Sequence, residues 1–380
     1  MNTIFFISVT RPLDTNATST YIMTNSLLQG IKENVKKLVF FAICEHKEEM
    51  RAVKEYYSTV ADIVIPLPSA FGFDLNNCEH ISKLFCYSYS ISFYKYNIKQ
   101  AIQNLTLVPD LLITHSPSYE SIFYANALRE TVGSILCYQF WSDPTALSGI
   151  LPEQLSIKRF PFKWIEHKAI KQCDKIIYGT KTLMEFQRNL YSDLADKMRY
   201  IDIPYVEKTS QDNTTPIKKS LLYAGNYYSN LRNLQPLIDA VSQMAEYTLD
   251  VYGSGDCQDP GVKHITFYGR ISPDELSALE GRYECVVCLL NHSCIQIPGK
   301  IFYDTIKPAK ILVISDGPYS DQILAYLSSY ERFVFCKNDK EEIMKAIGNL
   351  DKFEVDIDRI REKYSPEAIA TDLLNGGRKA

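Results

Sequence analysis

The chain has 380 residues, beyond the roughly 250 to 300 at which a single hydrophobic core stops growing, so two domains are expected and one small module is excluded. With 46% hydrophobic and 23% charged residues it has the composition of a folded globular protein, far from disordered or collagen-like chains. Lysine and arginine number 41 against 45 acidic residues, a net charge of -4 that supplies no basic field for nucleic acid, so no nucleic acid is expected as a partner.

The first residues lack a positively charged region and a small-residue cleavage site, and they form a first buried strand, Ile4 to Val9. No run approaches the roughly 18 apolar residues of a membrane span, so a cytoplasmic location is expected, with the 10 cysteines reduced. Short apolar runs then alternate with amphipathic stretches. A polar loop through Pro12, Asp14, Asn16 and Thr18 leads to a helix over Tyr21 to Glu33. A strand Leu38 to Cys44, a helix Lys47 to Tyr57 and a strand Ile63 to Leu67 follow. After an aromatic helical region from Ile81 to Leu105 come a strand Pro109 to His115, a helix Tyr119 to Thr131 and a strand Ser134 to Phe140. A helix near Trp164 to Gln172 and a strand Lys175 to Gly179 complete the half. Such alternation defines βα units around a parallel sheet, an α/β class. Residues 1–206 form one Rossmann-like domain on this reading. The polar stretch 207–219 is a linker and 220–358 a second Rossmann-like domain. A terminal helix over 359–380 is expected to pack on the first domain.

Open α/β sheets bind ligands at the carboxyl ends of their strands, which singles out particular side chains. In the first half these are His115 and Asp143, the candidate catalytic residues, placed to hydrogen-bond a sugar hydroxyl or assist proton removal. Each also has an ordinary structural alternative, a satisfied histidine at a strand end and an Asx turn before Pro144. In the second half, Tyr223-Ala224-Gly225-Asn226 ends a strand, and Arg232 precedes the next helix. Free backbone N–H groups and a guanidinium there suit an anion. Tyr252-Gly253-Ser254-Gly255-Asp256 ends the next strand with a GxG that permits close ligand approach, and Tyr268-Gly269-Arg270 ends a third. Ile297-Pro298-Gly299-Lys300-Ile301-Phe302 places Pro at a first helical position and Lys in the first turn, where a bound anion would offset its clash with the helix dipole. Cys285 and Cys288, with His292 and Cys294 nearby, form a lone CxxC inside a strand. Positions three apart there face opposite ways, so no metal site is expected. Asp356-Ile357-Asp358 lies in a late charged segment and reads as surface.

Taken together, these blocks resemble the GT-B glycosyltransferases, specifically the retaining group called family 4 in its bacterial capsule, lipopolysaccharide and exopolysaccharide branch. The likeness is best from Leu221 to about Leu350. It implies two Rossmann-like domains facing a cleft, an acceptor on the first and a UDP- or GDP-linked sugar donor on the second. It also implies retaining, metal-independent transfer onto a glycan or lipid-linked acceptor, with no cofactor. Gly225, Asn226, Arg232, Gly255, Arg270, Pro298, Gly299 and Lys300 would then contact the donor. Tyr303 stands where the family carries a ribose-binding Glu, with Asp304 next; either Asp304 takes that role or the donor site is altered. Two alternatives share the architecture: a nucleotide-sugar 2-epimerase, or a catalytically weakened accessory subunit. Arg159, Phe160, Phe162, Lys163, Trp164, Lys168, Lys171 and Lys175 form a basic and aromatic stretch that could rest peripherally on an anionic leaflet, or be a solvated helix face.

Overall fold

The structure, a computed structural model, describes residues 2–13, 18–70, 92–116, 119–143, 156–206, 216–271, 273–292 and 294–379. The chain divides into two compact units, Met1–Pro204 with Tyr364–Ala380, and Tyr205–Lys363.

The first unit is built on a seven-stranded parallel sheet of order β3-β2-β1-β4-β5-β6-β7. Its strands are β1 Thr3–Val9, β2 Lys37–Cys44, β3 Ile63–Pro68, β4 Leu111–Ser116, β5 Leu136–Trp141, β6 Lys175–Tyr178 and β7 Met198–Tyr200. Helices α1 Ser19–Asn34, α2 Glu49–Tyr57, α3 over 92–102, α4 Glu120–Val132, α5 Ser156–Lys171 and α6 Lys181–Leu190 connect them. Central strands covered on both faces need near-continuous apolar runs, which is why Ile4-Phe5-Phe6-Ile7 and Leu38 to Ile43 are wholly buried. Cross-strand rings lock the register, Phe5 against Phe41 at 5.3 Å and Phe6 against Phe40 at 6.0 Å. Aspartates clip the amino edge. Asp110 accepts from the backbone N of Asn2 and Thr3, Asp62 from Leu38 N, and Asp174 from Cys137 N.

The second unit has a six-stranded parallel sheet of order β10-β9-β8-β11-β12-β13. The strands are β8 Ile217–Ala224, β9 Thr248–Tyr252, β10 Ile265–Tyr268, β11 Tyr283–Leu289, β12 Lys310–Ser315 and β13 Phe333–Lys337. Strand order reverses between β8 and β11, which makes the gap beyond their carboxyl ends the topological switch point. Helices α7 Gln235–Ser242, α8 Pro273–Glu280, α9 Lys300–Tyr303, α10 Ser320–Ser328, α11 Lys340–Gly348 and α12 Ile357–Tyr364 follow the strands.

The linker expected over 207–219 needs correction at its end. Residues 207–215 lie outside the described residues, but β8 already begins at Ile217. Its first three residues are exposed, so no apolar signature marks them. Lys219 adopts φ +58 where the register with β11 shifts, and the Glu284 carboxylate accepts its N–H at 2.6 Å. After the second unit the chain returns to the first through α13, Pro366–Leu374, which packs on α1. Gly30 permits that contact, because a Cβ there would lie 2.0 Å from the Pro366 carbonyl oxygen.

Candidate functional site

The carboxyl edge of the second sheet carries the polar residues singled out above, joined by hydrogen bonds from one strand end to the next. The loop after β8 is fastened to the loop after β9: Gly225 N donates to Tyr252 O at 3.0 Å and Tyr227 N to Ser254 O at 3.1 Å. Gly253, at φ +136, has no room for a side chain, since a Cβ would sit 2.0 Å from Gly225 O. One on Gly255 would sit 2.2 Å from the Tyr227 ring. The space these glycines vacate is filled by protein, so the GxG closes loop on loop. Ser229 donates its backbone N and its hydroxyl to Asp256, which holds that carboxyl below its usual range.

Arg270, after β10, donates from Nε to Ser254 Oγ at 3.2 Å and from a terminal nitrogen to Asn226 Oδ1 at 3.0 Å. Tyr268 stacks on Tyr252 with centroids 4.5 Å apart and planes 9° from parallel, and it remains 41% exposed. Arg232 donates from Nε to Asn291 Oδ1 at 2.8 Å, bridging the loops after β8 and β11 at the switch point. The next residue, His292, donates its backbone N to Leu231 O, and its Nδ1 lies 3.0 Å from Asp316. Asn338 donates to the second Asp316 oxygen at 3.0 Å. Both Arg232 and Arg270 are thus held by neutral acceptors, and among the described residues neither forms an ion pair with a carboxylate.

The block at Pro298 folds differently from the expectation. Helix α9 is one turn that begins at Lys300 behind Gly299, so Pro298 precedes the helix and does not occupy its first position. The Lys300 stem is partly exposed, but its ammonium nitrogen is withdrawn from solvent and ion-paired with Glu280, itself 2% exposed at the side chain. Lys307 pairs with the same carboxylate and with Asp304 at 2.7 Å. Burial alone would raise the Glu280 pKa, but the two ammoniums outweigh it and hold the group below the usual range. Asp304 goes the other way, raised by burial and by repulsion from Glu280. Arg332, fully buried, ties the same turn by donating to the carbonyls of Thr305, Lys307 and Ala309 at 2.6 to 2.8 Å. Tyr303 is buried beside Asp304. Burial pushes the thiols of Cys285 and Cys288 up to about 12.

In the first unit, His115 at the end of β4 is fully buried against Phe140, with Nδ1 2.8 Å from Thr24 Oγ1 and Nε2 without a partner among the described residues. Burial pushes its pKa down to about 3, so the ring is neutral at physiological pH. Asp143 is half-buried in the loop after β5. On α5 the Lys168 ammonium sits 4.0 Å over the Trp164 ring, which is 40% exposed. The side chains of Arg159, Phe160 and Phe162 lie outside the described residues. No helix among the described residues is long and apolar enough to cross a membrane. Sequence reasoning singled out Arg232 and Arg270 but not their surroundings, Asn291, Glu280, Lys307 and Arg332. An Asn two residues past a strand and a Glu ending a helix carry no local signal of their own.

No protein-family model and no curated protein matches the chain. Solved structures match it over nearly its whole length. Sucrose-phosphate synthase from Thermosynechococcus elongatus aligns with a TM-score of 0.62 at 14% identity over 99% of this chain and 98% of that one. HepE from Anabaena, in complex with UDP and glucose, aligns with a TM-score of 0.51 at 10% identity over 98% and 94%. A UDP-N-acetylglucosamine 2-epimerase aligns with a TM-score of 0.52 at 9% identity over 98% and 95%. With its two parallel-sheet Rossmann-like units, the chain has the GT-B fold, as the motifs implied.

Proposed function

We propose that the chain is a glycosyltransferase that moves a sugar from a nucleoside diphosphate donor to a glycan or lipid-linked acceptor. The observation that carries this reading is the pair of crest guanidiniums, Arg232 and Arg270, fixed by neutral partners at the carboxyl edge of a GT-B sheet and, among the described residues, unpaired with any carboxylate. In the transfer, the bond from the sugar's anomeric carbon to the diphosphate breaks as the bond to the acceptor oxygen forms. The acceptor's proton passes to the departing phosphate or to water. Negative charge grows on the diphosphate, and preorganised guanidiniums stabilise it without reorganising. Gly225 and Asn226 line the same loop. Gly255 shapes it, while Pro298, Gly299, Lys300, Tyr303 and Asp304 form the neighbouring turn, whose charges are largely compensated internally.

His115 and Asp143 are assigned to the acceptor unit, His115 as a neutral hydrogen-bonding group. The finer reading is retaining transfer of a hexose in bacterial surface polysaccharide synthesis at the cytoplasmic side of the membrane, without a metal or other cofactor. It rests on the motif resemblance. Likeness to a 2-epimerase of the same fold sustains one rival. Incubating the chain with a panel of UDP- and GDP-sugars, with and without glycan acceptors, and following products by mass spectrometry and NMR separates them. A glycosylated acceptor supports transfer, inversion at C2 without acceptor identifies the epimerase, and an untouched panel contradicts both.

A further inference from the structure

Arg232 does not choose its own direction. We propose that Asn291 is a positioning residue that aims the Arg232 guanidinium at the donor's diphosphate while leaving its charge intact; the proposal rests on the reading of this crest as a diphosphate site. Arginine Nε can only donate, so the amide atom facing it at 2.8 Å is the oxygen, and the amide nitrogen of Asn291 must point the other way. There it finds Gln296 O and Cys294 Sγ, both at 3.4 Å. The residue is 8% exposed and has partners at both ends of its amide, so its rotamer and orientation are set from inside the unit.

Two consequences follow for Arg232. With Nε occupied by Asn291, the guanidinium also meets the Tyr223 hydroxyl, and its remaining terminal N–H groups are the donors left for phosphate oxygens, with which arginine bonds strongly. One terminal nitrogen, Nη1, lies 3.6 Å from where a Cβ on Gly225 would stand, so the guanidinium lies over that glycine. The second consequence concerns charge. Arg11, Arg129, Arg359 and Arg378 all end on carboxylates, which cancel the cation they hold. Asn291 offers an oxygen of similar shape with no net charge, so orientation is gained without neutralisation. A carboxylate at 291 would hold the guanidinium and quench it.

The test is a double-mutant cycle read by calorimetric titration of UDP and of GDP into wild type, Arg232→Ala, Asn291→Ala and the double variant, with thermal midpoints recorded in parallel. Each single substitution is expected to weaken the better-bound nucleotide about ten-fold or more, and the double variant to bind no more weakly than Arg232→Ala alone. Asn291→Asp is expected to lose at least as much affinity as Asn291→Ala. A residue that merely supports the loop would instead lower affinity further in the Arg232→Ala background. That multiplicative result, or wild-type affinity in Asn291→Ala, overturns the positioning role and leaves the diphosphate reading standing. Wild-type affinity in Arg232→Ala, or no binding of either nucleotide to wild type, overturns both.

Discussion

Lys300 and Arg232 are both cations near the carboxyl edge of the second sheet, yet their surroundings give them opposite uses. Lys300 is committed to Glu280, whereas Arg232 rests on an uncharged amide. Removing Glu280 takes away the Lys300 ion pair in a site withdrawn from solvent and leaves Lys307 with Asp304, so Glu280→Ala should cost about 3–5 kcal/mol of stability in urea denaturation. A loss below about 1 kcal/mol would mean the cluster is solvated and the pairing weak. Lys300→Ala should lower stability while leaving nucleotide affinity closer to wild type than Arg232→Ala does. His115 makes a pH prediction. Its pKa is depressed from 6.5 to about 3 in the folded chain, so below pH 6.5 the unfolded chain takes up a proton that the folded one refuses. Stability from this group is complete above pH 6.5 and falls with acidification toward pH 3, by up to about 1.4 kcal/mol per pH unit. Denaturation of wild type and His115→Asn between pH 7 and 4.5 should show a shallower slope in the variant. Equal slopes would show that the histidine titrates normally. At this scale the sequence reveals cations at strand ends but not their partners. Glu280 lies 20 residues before Lys300, and only tertiary folding makes one cancel the other.

Elements were legible where both faces of a strand are buried, because a continuous apolar run has few other homes: β1 and β2 stand within a residue of where their hydrophobic runs place them. Legibility failed where a strand is short or exposed. The three residues of β7 and the polar start of β8 offer no pattern, and the Pro298 block forms a single turn held by Arg332 and the Glu280 pairs. Glycines gave the other partial reading. The GxG was visible, but its purpose, the approach of one backbone loop to another, depends on which strand lies next door. Gly253→Ala should therefore lower the thermal midpoint and also weaken nucleotide binding, because Arg232 and Asn226 sit on the loop that the new methyl displaces. A variant with wild-type melting would show that the loops are not locked together. Gly30→Ala acts on a different contact, forcing α1 and α13 apart at a cost of about 1–3 kcal/mol, checked by denaturation.

At the scale of the whole molecule, length alone asked for two domains, and the chain forms two parallel-sheet units, with residues 364–380 belonging to the first. The GT-B fold was legible through four modest motifs in order, although pairwise identity to solved relatives is only 9 to 14%. Such distances carry architecture and not chemistry, so the functional claim stands on charge at the crest. Calorimetric titration of UDP and GDP into wild type and into an Arg232→Ala/Arg270→Ala variant addresses it directly. The account predicts that at least one nucleotide binds wild type, and that the variant loses about 3–6 kcal/mol of binding if each guanidinium contributes a charge-assisted contact. Equal affinity of the two proteins, or heat of binding from neither nucleotide, would contradict it.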